Sequence, residues 1–115
     1  MRYHKPVNAK DLHTHGRIIL AEGEVTGHQH EVVATEPMAG ISAADFFEEP
    51  DGRRVLLVTR PCVLIHQEHG VIALDPARPV QVRQGDVLLQ PIGAGAWEVR
   101  RQREYALDAS RAVSD

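Results

Sequence analysis

Two histidine pairs carry the chemistry of this chain. In the segment GEVTGHQHEV, His28 and His30 stand two positions apart, a spacing that sends both imidazoles to one face of an extended strand. The segment VLIHQEHGVIAL places His66 at the end of an apolar run and His69 in the turn before Gly70. A continuous strand would point those two rings to opposite sides, whereas a turn through Gln67, Glu68 and Gly70 brings them together. The H-x-H and the H-x-x-H supply up to four nitrogen ligands for a divalent transition metal, with Glu68, Glu31 or Glu36 as neighbouring carboxylates. Imidazole mixed with carboxylate suits zinc, iron, nickel, copper or manganese, and spacing does not choose among them. Singly, each of these residues reads as an ordinary hydrogen-bonded or exposed histidine. Two close pairs on separate strands favour one shared site. His13 and His15 repeat the H-x-H pattern in a less regular segment and read first as surface histidines, with a reserve role as ligands; His4 has no patterned neighbour.

Three protein ligands leave a coordination position open, so one expectation is a metal-dependent enzyme acting on a small molecule, with Glu68 or Glu31 as general base. Four bound histidines would close a tetrahedral metal and favour a structural role. The alternative is a non-catalytic binding or assembly module, in which the cluster is structural or lies at a homodimer interface.

The elements that must position these residues are short. From Arg17 onward the chain runs as RIILAEGEV, HEVVAT, RRVLLVT, CVLIH, GVIAL, PVQV, DVLLQPI and AWEVRRQ. Turn signals separate the runs at Pro50-Asp51-Gly52, His69-Gly70, Asp75-Pro76, Gln84-Gly85-Asp86 and Gly93-Ala94-Gly95. Closely spaced strands with such punctuation predict an all-β fold, a small barrel or β-sandwich. Residues 1–16 read as an irregular N-terminal arm or short strand, and residues 17–115 as a single β domain. The turn between DFFEE and RRVLLV predicts a hairpin with Phe46 or Phe47 in the core. ISAADFF also fits one helical turn capped by Ser42. The composition of Glu104 to Val113 is compatible with a short C-terminal helix or a frayed end.

A chain of 115 residues with 43% hydrophobic and 25% charged residues is too short for a large multidomain enzyme and too apolar for a disordered segment. A net charge of -3 and a pI near 6.1 give no reason to expect nucleic acid as partner. No apolar run approaches the length of a membrane span, and MRYHKPVNAK lacks the pattern of a secretory signal. Cys62 is the single cysteine, which excludes an internal disulfide and a cysteine-based metal cluster. It follows Pro61 and precedes an apolar run, so it reads as a small buried filler. The expected compartment is the cytoplasm, and the expected partner a second copy of the chain.

The residues around the two sites resemble cupins, small β-barrels with paired metal motifs. Gly23, His28, His30, Glu36 and Gly40 follow the order of the first cupin motif with altered spacing. Gly85, Pro91 and Gly93 in GDVLLQPIG follow the second, but Ala96 stands where its metal-binding histidine belongs. The resemblance implies a cupin-like barrel in which His66 or His69 completes the site. Over most of the chain from Arg17 onward, LAEGEVTGHQH, HQEHGVIAL and RRQREY together resemble a group of small uncharacterised bacterial proteins that carry LAEGEVTGHxH, HxEHxxIxL and RQREY. That group implies no activity. In that group a QGDVLL strand usually lies near the N-terminus, whereas here Gln84 to Leu89 falls between the histidine turn and RQREY, so a strand order cannot be copied from it.

RRQREY has a reading of its own. On a strand, Arg101 and Arg103 share a face and could hold a carboxylate or phosphate of a substrate. They could equally neutralise Asp or Glu on an adjacent strand, which is the more ordinary role. Tyr105 either stacks in the core or presents its hydroxyl to the site.

Overall fold

The short alternating runs become ten strands in the computed structural model, which describes residues 2–22 and 28–102. In chain order these are β1 (Lys10–Asp11), β2 (Ile18–Glu22), β3 (Gln29–Ala34), β4 (Ala44–Glu48), β5 (Arg54–Val58), β6 (Cys62–His66), β7 (Gly70–Leu74), β8 (Val82–Gln84), β9 (Val87–Gly93) and β10 (Ala96–Arg101). All pairings are antiparallel. The larger sheet runs β1-β4-β5-β10-β9-β8 and the smaller β2-β3-β6-β7. The fold is all-β, as the segment pattern predicts, and takes the form of a two-layer sandwich and not a closed barrel. The QGDVLL segment forms the β8–β9 hairpin at one end of the larger sheet. Arg103, Tyr105 and the Glu104–Val113 helix expectation lie outside the described residues, as does Gly23. Among the described residues no helix is long and apolar enough to cross a membrane.

Period-2 alternation buries one face of each sheet against the other. Leu20, Val32, Leu64 and Leu74 from the smaller sheet meet Phe46, Leu56, Val87, Leu89 and Trp97 from the larger. Trp97 is wholly buried, and its indole N–H donates to the Val80 carbonyl at 2.8 Å, which satisfies its one polar atom. Cys62 sits in this core, where burial raises its thiol pKa.

The β4–β5 hairpin forms around Pro50-Asp51-Gly52, and both phenylalanines before it are buried. Successive residues of a strand point to opposite faces, so Phe46 enters the core while Phe47 needs a second cover. The N-terminal arm provides it. Tyr3 stacks on Phe47 with ring centroids 6.2 Å apart, and the Lys5 ammonium lies 4.8 Å from the same ring. β1 adds to the edge of β4, and beyond it the Leu12 N–H donates to the Phe46 carbonyl while the Phe46 N–H donates to His13 Nε2 at 3.1 Å. The helical alternative for ISAADFF does not form: the Ser42 hydroxyl donates to the Ala44 carbonyl and the chain continues directly into β4.

The arm is also clamped at its start. The Tyr3 hydroxyl donates to Glu49, which takes two further hydrogen bonds from Arg53 Nε (2.7 Å) and Nη2 (3.2 Å). Arg53 holds the Glu49 carboxyl below its usual range against the opposing effect of burial, with Tyr3 assisting. A depressed folded-state pKa contributes stability above the unfolded value, lost as pH falls through the folded one. The stability difference between the wild type and Glu49→Gln should therefore be full at neutral pH, begin to narrow as pH falls past the ordinary glutamate value of about 4.3, and close only below the depressed folded-state value. Urea unfolding of both proteins at a series of pH values reads this directly, and a difference that does not narrow in acid would rule the clamp out.

At the far edge of the smaller sheet, β7 (GVIAL) carries no charged residue, and Val71 is 67% exposed.

Candidate metal centre

The register between β3 and β6 pairs Val32 with Leu64 and Glu31 with Ile65. One step further along the same register, His30 comes opposite His66 on the inward face. Their ring centroids are 4.3 Å apart. The β6–β7 hairpin turns through Gln67 to His69, folding His69 back to 4.6 Å from His66 and 6.3 Å from His30, almost parallel to the latter. His28, at the entrance to β3, meets His66 edge-on at 5.9 Å. All four histidines singled out by spacing thus form one cluster at one end of the sandwich.

The rings are not equivalent. His66 Nδ1 accepts the backbone N–H groups of Glu68 (3.0 Å) and His69 (3.3 Å), so that nitrogen holds the turn. Burial lowers its pKa, and the neighbouring His30, His69 and His28 lower it further; the neutral ring then carries its proton on Nε2. His30 is buried and takes the opposite tautomer. Its Nδ1 lies 2.8 Å from Gln84 Oε1, and the Gln84 amide nitrogen donates to the carbonyls of Leu64 (3.0 Å) and Gly70 (2.9 Å). Only an NH₂ group can satisfy two carbonyls, which fixes the amide with its oxygen toward the imidazole. His30 therefore donates from Nδ1, and in the neutral ring Nε2 keeps its lone pair.

Gln84, Gly85 and Asp86 reach the cluster from the β8–β9 hairpin of the other sheet, and spacing alone did not find them. Asp86 Oδ1 is 3.5 Å from His30 Nε2, and Oδ2 accepts from Arg101 Nε at 2.7 Å. Burial opposes ionisation of Asp86, but the hydrogen bond and charge of Arg101 outweigh it and hold the carboxyl below its usual range. Arg101 also donates to the Glu22 carbonyl at 2.7 Å. At Gly85, φ is +60°, and a Cβ there would stand 2.9 Å from His69 Cδ2 and Nε2 and 3.2 Å from His30 Cε1. Residues 2–77 match a family described as a domain of unknown function, DUF8820.

The chain belongs to the DUF8820 family. The matched span holds all four histidines, while the Gln84–Asp86 turn and Arg101 lie beyond it. No curated protein and no solved structure matches the chain.

The remaining candidates of this DUF8820 chain separate clearly. Glu68 stays with the cluster, at the exposed rim and 3.5 Å from His28 Nδ1. Glu31 does not. As the residue after His30 on a strand it takes the outer face, where Arg17 binds it through Nε (3.0 Å) and Nη2 (2.8 Å); that pair lines a shallow cleft of about 250 Å³, which His66 also borders. Glu36 is exposed beyond the far end of β3. Arg101 is committed to Asp86 and the Glu22 carbonyl, which is the neutralising role. His4 and His15 are exposed.

Among the described residues, the group whose ligand atoms stand close enough together to hold a metal ion as they are is not the histidine cluster but Asp11, His13 and Asp45, all within 4.8 Å of one another. There, however, His13 Nε2 already accepts the Phe46 N–H, and Lys5 pairs with Asp45 at 2.7 Å. Those partners give His13 a structural task, pinning the arm to β4.

Proposed function

We propose that this protein binds a divalent transition metal at the histidine cluster, through His30 with His28 and His69, and that His66 serves mainly to shape the turn that presents His69. The observation that carries this reading is the tautomer of His30. A buried imidazole whose Nδ1–H is held by an amide oxygen, in a ring cluster with His66 and His69, is the arrangement that orients a metal-ligating histidine. A divalent ion there would supply Lewis acidity to a small-molecule ligand entering from the rim. Glu68 is the carboxylate placed to move protons at that rim, and Glu31, locked by Arg17, is not.

The second reading, an assembly module without catalysis, draws on the β7 edge. That edge lacks the charges with which sheets ordinarily discourage pairing, so a second copy could add to it. One experiment addresses both readings: elemental analysis and solution mass of the untagged protein before and after chelator treatment. About one equivalent of metal per chain, removed by chelator and restored on reloading, is the expected result. A folded protein that holds no metal and takes none up would overturn the metal reading, and a dimer unaffected by chelation would favour the second.

A further inference from the structure

We propose that Asp86 is itself a ligand of that cation, so that the site is a mixed nitrogen and oxygen set built jointly by the two sheets. The inference deepens the metal reading and rests on it. With the His30 ring neutral and its proton on Nδ1, the groups that face each other across 3.5 Å are the Nε2 lone pair and a carboxylate oxygen. Both are acceptors. Two acceptors directed at one another beside a buried ring repel unless a positive species lies between them.

The distance indicates which species fits. Two ligand atoms each roughly 2.1 Å from a tetrahedral metal stand about 3.4 Å apart, close to the separation observed. A proton bridging nitrogen and oxygen would draw them to about 2.8 Å. The carboxylate is also supported as a ligand needs to be: Arg101 holds Oδ2, the Gln102 N–H donates to the Asp86 carbonyl, and Oδ1 is left directed at His30. Gly85 adds room, since its bare Cα lets the His69 ring lie against the same turn. His30 and Asp86 are thus a preset half-site; among the described residues no third ligand atom stands within 4.8 Å of both, so a rim histidine would have to rotate its side chain to complete the set. A carboxylate in the set favours zinc, iron(II), manganese or nickel over copper(I).

The test is titration of the chelator-stripped full chain with Zn²⁺ in competition with a chromophoric chelator, for the wild type, Asp86→Ala, Asp86→Asn and Glu31→Gln. Both Asp86 variants should bind at least about 100-fold more weakly, while Glu31→Gln binds like the wild type. Co²⁺-loaded protein supplies a second readout, because losing an oxygen ligand should shift the visible absorption of Asp86→Asn and leave that of Glu31→Gln unchanged. Asp86→Asn keeps the side-chain shape, so a folding failure confined to Asp86→Ala leaves the comparison intact. Wild-type affinity and spectrum in Asp86→Asn would overturn the Asp86 proposal and leave the histidine site standing. A wild type that binds neither Zn²⁺ nor Co²⁺ would overturn both.

Discussion

Replacing His28 and His30 together with alanine should leave the protein unable to retain a divalent metal. The two changes should differ in what else they do. His28 lies at the partly exposed rim, so its removal alone should alter metal-free stability by no more than about 0.5 kcal/mol. His30 is buried, and its loss both opens a cavity and strips Gln84 Oε1 of its partner. The metal-free double variant should therefore be less stable than the wild type by about 2–4 kcal/mol. Elemental analysis and urea unfolding of the two single variants and the double variant separate the effects. Full metal occupancy in the double variant would remove the histidine site from consideration.

Gly85→Ala should damage both fold and site. Its φ of +60° is a left-handed conformation that costs an alanine about 1–2 kcal/mol, and the added Cβ would press on the His69 and His30 rings. Gly52→Ala is the matched control, because φ there is +94° and nothing lies within 4 Å of the Cβ position. Gly52→Ala should lose stability alone, whereas Gly85→Ala should lose more stability and also at least about tenfold in metal affinity. Adding His69→Ala to Gly85→Ala should recover part of the stability, as expected when two groups collide. Equal losses in the two glycine variants, with metal affinity unchanged, would show that the Gly85 turn does not shape the site.

The histidine cluster was legible in the sequence because its geometry is local. An H-x-H on a strand and an H-x-x-H across a tight turn place their rings by backbone periodicity and one hairpin. The fold class followed from the same alternation. The parity that paired His28 with His30 also puts Glu31 on the opposite face, so its placement away from His30 could have been read from the strand pattern. Burial of both Phe46 and Phe47 was harder to foresee, since it depends on an arm some forty residues earlier laying Tyr3 and Lys5 over the outer face. The contribution of Gln84 and Asp86 depends on which hairpin of one sheet faces which end of the other, a relation that local periodicity does not encode. The available signal was Gln84 itself, a polar residue two positions from the inward Val82 on a short strand, where an apolar side chain would ordinarily stand.

Gln84 has a consequence apart from any ligand. Contact between two apolar sheet faces is non-directional, and such layers tolerate sliding by a pleat with little change in buried area. The one Gln84 amide, projecting from β8, bonds to His30 on β3, to the Leu64 carbonyl on β6 and to the Gly70 carbonyl on β7. Any slip of one layer past the other would break all three bonds at once and leave their polar atoms buried without partners, at about 1–3 kcal/mol each. Together with the bonds that Arg101 and Arg54 send from the larger sheet to the Glu22 and Leu20 carbonyls of β2, this side chain acts as a dowel between the layers, favouring one stacking alignment over others that hydrophobic contact alone would accept.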